Sequence, residues 1–434
     1  MPSRIALAAR ARRCPTLRLP LPASRVPFHV RHCRIAGLRL KRIFYAWELG
    51  GGLGHYGCFL PVARVLEQRG CAVTWSLLDP AAAAALFKDR VSGAVRSPRM
   101  PGEVTGLPEP QLAYSEMLLR CGYLSADSLT PLLREWRELL TAAAPDLVVT
   151  DHAPTALLAA RSLGLPVARL GNGFFCPPVV DPEPPLMPRM PPVPERSRES
   201  GALVLASINA ALQAVGSAPL ATLGQMHLSD EDFVTTYAEL DHYPQRRTPL
   251  WGAVLGTEGG VAPVWPAVPG PRVFVYIKAH QKHTLPLLRA LVLQGYASLV
   301  YCPGLAPADR AALEGPALRF SDQPFDIAAV TGACDLVVCG AGHGTICAAL
   351  LAGKPLLMVP EVLEQGINAH NAAGVGAGLV AEPGQEEQIG ALLTRLSAEP
   401  GFAHAAHAFR ARHGAVSQAQ IVQGIAERCI QLAG

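Results

Sequence analysis

Arg42-Ile43-Phe44-Tyr45-Ala46-Trp47 runs through two residues into Gly50-Gly51-Gly52-Leu53-Gly54-His55, and this passage decides the fold. The first segment has the apolar, aromatic-rich character of a buried strand. The second is a glycine-rich turn of the kind that joins a strand to a helix. The same grammar recurs in the other half of the chain, where Leu336-Val337-Val338-Cys339 leads into Gly340-Ala341-Gly342-His343-Gly344-Thr345. Glycine lets a backbone approach a ligand closely, and a helix N-terminus offers free N–H groups and the positive end of a dipole. Two such turns, one per half, predict two nucleotide-type domains facing one cleft.

Outward from the first turn, strands and helices alternate. Phe59, Leu60, Val62, Ala63 and Leu66 recur at helical spacing, and Gly70 lies just past their end. Residues 71–78 read as the next strand, 132–144 as a helix broken by Pro145, and 147–150 as a strand ending at Asp151. A helix over 155–163 and a strand over 165–170 follow. Residues 177–194 are Pro-rich and irregular, and helical segments are expected at 200–224 and 229–239. A Pro/Gly stretch at 259–271 reads as a linker. The alternation then restarts, with strands at 272–277, 297–301, 336–339 and 355–360 and helices at 285–293, 345–351 and 402–433. Continuous apolar strands alternating with helices predict an α/β architecture with doubly wound parallel sheets.

The chain of 434 residues suits two cores. Its net charge of +4 conceals an asymmetry: residues 1–42 hold ten Arg, one Lys and no acid, which leaves the remainder at −7. That body gives no electrostatic footprint for nucleic acid. The leader, residues 1–41, reads as a disordered extension or a start placed too early, with a transit segment as the alternative. No apolar run is long enough to span a bilayer. The expected location is cytoplasmic, with peripheral contact at the inner membrane face left open. The 11 Cys are scattered without a CxxC pair, so neither a zinc site nor a disulfide framework is signalled. Cys302, Cys334, Cys339 and Cys347 lie in apolar runs and read as core residues.

His55 follows the first strand and Asp151 ends a later one, and strands of a parallel sheet end on the ligand-binding edge. A carboxylate beside an imidazole orients it and stabilises its protonated form, and such a pair removes a proton from a hydroxyl. The competing readings are that His55 caps its helix and that Asp151 caps the helix near Thr155. In the second turn, the N–H groups of Gly342 to Thr345 suit a phosphate, with the Thr345 hydroxyl as a further donor. Glu364-Gln365, past the next strand, suit sugar hydroxyls. Gly52-Leu53-Gly54-His55-Tyr56-Gly57 also matches the dinucleotide fingerprint, with Asp79 beyond, so a dinucleotide-dependent oxidoreductase is the rival enzyme class. That rival leaves the second turn without a role.

With these residues in view, the chain resembles a GT-B nucleotide-sugar glycosyltransferase. The group is the broad one holding UDP-glucuronosyltransferase-like and macrolide-type enzymes, with a more distant likeness to the lipid-linked N-acetylglucosaminyltransferase of peptidoglycan synthesis. The likeness covers about residues 42–434. Its glycine turn followed by His falls on Gly54-His55, with Gly52 in the same turn, and its "PDLVVxD" strand falls on 145–151. Its donor motif falls on Ala341, Gly342, His343, Gly344, Thr345, Gly353, Pro355, Pro360, Glu364, Gln365, Asn368 and Ala369.

The resemblance implies that His55 is the base and Asp151 its partner. It also implies that Gly342, His343, Gly344, Thr345, Glu364 and Gln365 hold the diphosphate and sugar. Residues 42–258 would form the acceptor domain, 259–271 the linker, 272–403 the donor domain, and 404–434 a helix packing back on the first domain. The implied reaction is inverting transfer from a UDP- or dTDP-type sugar to a small-molecule, lipid or glycan hydroxyl, with no metal and no cofactor. The nucleotide sugar would be a co-substrate. Asn172-Gly173-Phe174-Phe175 and the 177–194 loop would shape the acceptor pocket.

The chain departs from the family pattern at Gly340, where a phosphate-touching His is common. It departs at Ala348, where a ribose-binding Glu is common, and at Ala341 and Glu364, which stand for Gly and Asp. The departures at 340 and 348 motivate a second alternative, a catalytically idle sugar-nucleotide-binding scaffold. Oligomeric state is undetermined by the sequence.

Overall fold

The computed structural model describes residues 40–434 except 53, 88–90, 92, 101–103, 188–189 and 257–259. Nearly all of the basic leader, Leu53 of the first turn and Gly259 of the expected linker fall outside the described residues.

Two six-stranded parallel sheets organise the chain. The first contains β1 (Arg42–Trp47), β2 (Ala72–Leu77), β3 (Val95–Arg96), β4 (Leu147–Asp151), β5 (Val167–Gly171) and β6 (Glu231–Val234). Their spatial order is β3-β2-β1-β4-β5-β6. The second contains β7 (Arg272–Tyr276), β8 (Ala297–Tyr301), β9 (Leu318–Ser321), β10 (Leu336–Cys339), β11 (Leu356–Met358) and β12 (Gly378–Val380). Here the order is β12-β11-β10-β7-β8-β9. Both are doubly wound, and the winding reverses between β1 and β4 in one sheet and between β7 and β10 in the other. One glycine turn follows β1 and the other follows β10. Each therefore sits at the switch point, where diverging loops open a crevice.

Strand β1 shows why helices cover both faces. Its side chains alternate, so Phe44 and Ala46 join one apolar cluster, with Trp136, Leu140, Leu157 and Ile208. Ile43, Tyr45 and Trp47 join the other, with Phe59, Val62 and Leu66 of the helix Gly54–Gln68. That second cluster also takes Ile421, Val422, Ile425, Ala426 and Cys429 from the last helix, Gln418–Leu432. The C-terminal helix thus packs on the first sheet's half of the molecule. Ile425 is fully buried there, and Ile425→Ala is expected to cost about 3 kcal/mol, read as a lower midpoint in urea unfolding.

Three expectations change. Residues 229–239 form β6 and a short 3-10 turn, Ala238–Leu240, not a helix. Strand pairing with β5 overrides local propensity: the Asp230 carboxylate accepts from Val167 N at 2.8 Å, and Asp232 holds Arg169 at 2.6 and 2.7 Å. The segment expected to be helical over 200–224 is the helix Pro194–Ala214 followed by a 3-10 turn, Leu223–His227. The final stretch is two helices, Pro400–His413 and Gln418–Leu432, because Ser417 caps the second through Gln420 N. Within 259–271, Val261 bridges Phe325 and exchanges backbone bonds with Pro324 and Asp326, which ties that part of the segment to the second half.

Candidate active site

Trp47 pairs with Asp151 in the β1–β4 register, so the end of β4 lies beside the start of the glycine turn. His55 is the second residue of the helix that follows, and its Nδ1 lies 3.0 Å from Asp151 Oδ1. Both side chains are buried, 6% and 1% exposed. The Tyr45 hydroxyl reaches Asp151 Oδ2 at 2.6 Å and also approaches the His55 carbonyl, and Cys58 Sγ lies 3.3 Å from Asp151 Oδ2. Trp47 stacks on the imidazole at 4.7 Å, and Phe175 leans over it at 4.9 Å. With Nδ1–H donated to Asp151, Nε2 is the nitrogen left to accept a proton. Burial pushes the His55 pKa down, but the Asp151 charge and hydrogen bond, with help from Glu364, leave it raised above the usual value.

Asp151 does not cap the helix Pro154–Ser162. Glu48 does: its Oε2 accepts from Thr155 N at 2.8 Å and Ala156 N at 3.4 Å. Burial pushes Glu48 up to about 7, opposed by those hydrogen bonds. Glu48 releases Asp151 for the imidazole, a division of labour that local spacing alone does not reveal.

The second turn faces the same space. A cavity of about 310 Å³ is lined by Gly52, Gly54, His55, Asp151, Asn172 and Phe175 from the first half. From the second half it is lined by Tyr276, Lys278, Gln281, Gly342, His343, Gly344, Thr345, Glu364 and Gln365. Gly342 caps the helix His343–Leu351. The N–H groups of Thr345 and Ile346 turn back to the Gly342 carbonyl, so the amides of His343 and Gly344 are the ones best placed for an incoming oxygen. The His343 imidazole reaches Thr236 Oγ1 in the first half at 2.8 Å, and burial lowers its pKa to about 4, which keeps it neutral.

Glu364 Oε1 accepts from Asn172 Nδ2 at 2.8 Å and from Asn368 Nδ2 at 3.1 Å, so this carboxylate spans the cleft. Burial raises its pKa against those two hydrogen bonds. Gln365 Oε1 accepts from Glu361 N at 3.0 Å and Val362 N at 3.4 Å at the start of its own helix.

The departures have local causes. A Cβ on Gly340 would stand 3.0 Å from Gln281 Nε2, so the Gln281 amide occupies the space a side chain at 340 would use. Ala341 has φ 58°, a left-handed conformation that explains a glycine preference there. Ala348 packs in the second half's apolar core and presents nothing to a ribose. Tyr45, Cys58, Lys278 and Gln281 are site residues that motif reading passed over. The one available signal for Tyr45 was its place in β1, five residues before Gly50, the first glycine of the turn.

Residues 316–419 match the glycosyltransferase family 28 C-terminal domain. The matched segment contains the second glycine turn, Glu364 and Gln365. Elloramycin glycosyltransferase ElmGT of Streptomyces olivaceus is 34% identical over 160 residues, 36% of this chain and 40% of that protein. The match thus spans well under half of that relative. The glycotransferase of kitacinnamycin superposes with a TM-score of 0.65 at 21% identity, covering 91% of this chain and 100% of that one. Spinosyn rhamnosyltransferase SpnG, complexed with thymidine diphosphate, gives 0.59 at 19% identity, covering 88% and 99%. The fold is GT-B: two Rossmann-like domains, with the family 28 segment carrying the second glycine turn.

Proposed function

We propose that this protein is a glycosyltransferase that moves a sugar from a nucleoside diphosphate sugar to an acceptor hydroxyl, with inversion. One observation carries the reading: the buried His55–Asp151 pair and the N-terminus of the helix His343–Leu351 line one cavity from opposite sides. His55 Nε2 takes the acceptor's proton, and Asp151 stabilises the imidazolium that forms. The freed oxygen attacks the anomeric carbon from the face opposite the diphosphate. The carbon–oxygen bond to the diphosphate breaks, and its electron pair leaves with the nucleotide. The growing negative charge is met by the His343 and Gly344 amides and the nearby Lys278 ammonium. Glu364 and Gln365 hold sugar hydroxyls. No metal takes part, so EDTA is expected to leave the rate unchanged.

Thymidine diphosphate is the preferred donor nucleotide on this reading, supported by the thymidine diphosphate complex of SpnG and the DTDP complex of VinC. The acceptor is a small-molecule hydroxyl, supported by the complex of SpnG with spinosyn aglycone. The domain roles follow: the segment around the first sheet holds the acceptor, the segment around the second holds the donor, and the reaction occurs between them. No helix among the described residues is long and apolar enough to cross a membrane.

A thermal-shift comparison of dTDP and UDP tests the donor side. At 100 times its Kd, a nucleotide stabilises by about 2.7 kcal/mol. Stabilisation is expected with wild type and lost in Gly342→Arg, whose side chain would project into the phosphate position. Stabilisation without transfer to any of a panel of phenols and sugars would favour the idle scaffold.

A further inference from the structure

His152 immediately follows Asp151, and nothing in the mechanism above uses it. Its imidazole is 5% exposed, and neither ring nitrogen makes a hydrogen bond of full geometry, a backbone contact with Leu49 aside. Its backbone is left-handed, with φ 44°. Each of these features is unfavourable in a folded protein: a buried polar group without a full partner forfeits its hydration, and a left-handed backbone is uncommon outside glycine. Together at one residue beside a candidate base, they mark a group held ready for a partner that arrives from outside.

The placement says what that partner is. One point beside the Gly50 Cα lies 2.8 Å from His55 Nε2 and 3.4 Å from His152 Nδ1. The two rings are nearly parallel, at 13° with centroids 6.4 Å apart. Phe175 covers both, 4.9 Å from the His55 ring and 4.6 Å from the His152 ring. Gly171, at φ +146°, leaves the room this phenyl ring uses: a Cβ there would stand 2.9 Å from it. Tyr114 and Phe174 close the far side of His152 at 6.3 and 5.7 Å. Burial and the neighbouring His55 lower the His152 pKa to about 3, so the ring is neutral and carries one N–H donor and one bare nitrogen acceptor.

We propose that His152 is a specificity-determining residue that reads a second oxygen on the acceptor, adjacent to the hydroxyl that His55 deprotonates. The acceptor class is therefore a vicinal or 1,3-related diol or hydroxyketone. Phe175 lines the cavity and His152 does not, so the Phe175 ring must turn aside for the second oxygen to reach Nδ1. His55 binds the reacting hydroxyl and His152 hydrogen-bonds its neighbour, which fixes which of several hydroxyls is presented. A neutral imidazole serves a hydroxyl or a carbonyl equally, because it offers both a donor and an acceptor.

This inference rests on the glycosyl-transfer reading of the cleft, and its test separates the two. Calorimetric titration of 1,8-dihydroxynaphthalene and 1-naphthol, without nucleotide, compares paired and single oxygens on one ring system. Wild type is expected to bind the diol about tenfold more tightly, the size of one hydrogen bond to a buried group. His152→Phe, which keeps the ring contacts and removes both nitrogens, is expected to bind the two probes alike. His152→Asn, whose side chain tolerates the left-handed backbone, replaces it if the phenylalanine variant does not fold, and is expected to lose most of the preference. In ¹⁵N-histidine spectra, the His152 ring nitrogens shift with the diol and not with 1-naphthol.

Equal binding of both probes by wild type overturns the proposal, as does a preference that survives in both variants. Stabilisation by dTDP is measured on the same samples. If dTDP fails to stabilise wild type while the diol preference follows His152, the transfer reading falls and the His152 site stands.

Discussion

Replacing His55 with alanine is expected to lower kcat for sugar transfer by about a thousandfold, within the range for loss of a positioned general base, while dTDP still stabilises the variant. The separation follows from the geometry. His55 is held by Asp151 at 3.0 Å, by Trp47 at 4.7 Å and by Phe175 at 4.9 Å, all in the first half of the molecule. The amides proposed to meet the diphosphate belong to the helix His343–Leu351 in the second half.

Asp151→Asn gives the complementary test through pH. On the proposed mechanism the neutral form of His55 is the base, so kcat/KM is expected to rise with pH through its pKa. That pKa is raised in the protein: burial works against it, and Asp151 with Glu364 outweighs burial. The acid limb of the wild-type profile is therefore expected above the usual histidine value. Removing the Asp151 charge leaves burial unopposed by its main counterweight, so the limb moves to lower pH as the maximum rate falls. A pH–rate profile of wild type and Asp151→Asn measures both effects. An unmoved limb would mean that another group sets it.

Gly50→Ala is expected to cut kcat about a hundredfold with donor binding retained. Gly50 has φ +83°, and a Cβ there would stand 2.8 Å from His55 Nε2, closer than a real Cβ approaches a ring nitrogen. Either the turn or the imidazole shifts, and displacement of a reacting group by about 1 Å costs on the order of 10² in rate. Two neighbours supply internal controls. Gly52 shares the strain, at φ +106°, but a Cβ on it meets nothing within 4 Å, so Gly52→Ala carries backbone cost without touching His55. Gly51 also has open space at its Cβ position and no positive φ, so Gly51→Ala is expected to be nearly neutral. Steady-state kinetics on the three variants should rank them 50, 52, 51. An equal loss at 50 and 52 would assign the effect to strain alone, and the close approach of backbone to Nε2 would have no catalytic meaning.

The sequence by itself determined the architecture. Apolar strands followed by glycine turns and helices depend on spacings of two to four residues, and such spacings survive as local pattern whatever packs against them. That is why β1, β4, β10 and both turns were legible, along with the placement of His55 and of Gly342 to Thr345, Glu364 and Gln365 at one cavity.

Tertiary structure decided who meets whom. Asp151 was ambiguous as a letter in the chain, because a carboxylate at a strand end caps a helix as readily as it orients an imidazole. The β1–β4 register and the arrival of Glu48 at Thr155 and Ala156 settled its partner. Residues 231–234 became a strand because β5 needed an edge partner, and no local signal overrode their helical look. His152 carried no motif at all. Its burial and its nearness to His55 through Gly50 exist only once the turn and the end of β4 are brought side by side. Local periodicity is written in neighbouring residues. The meeting of side chains about a hundred positions apart is set by strand order, loop length and burial, which the whole chain determines jointly.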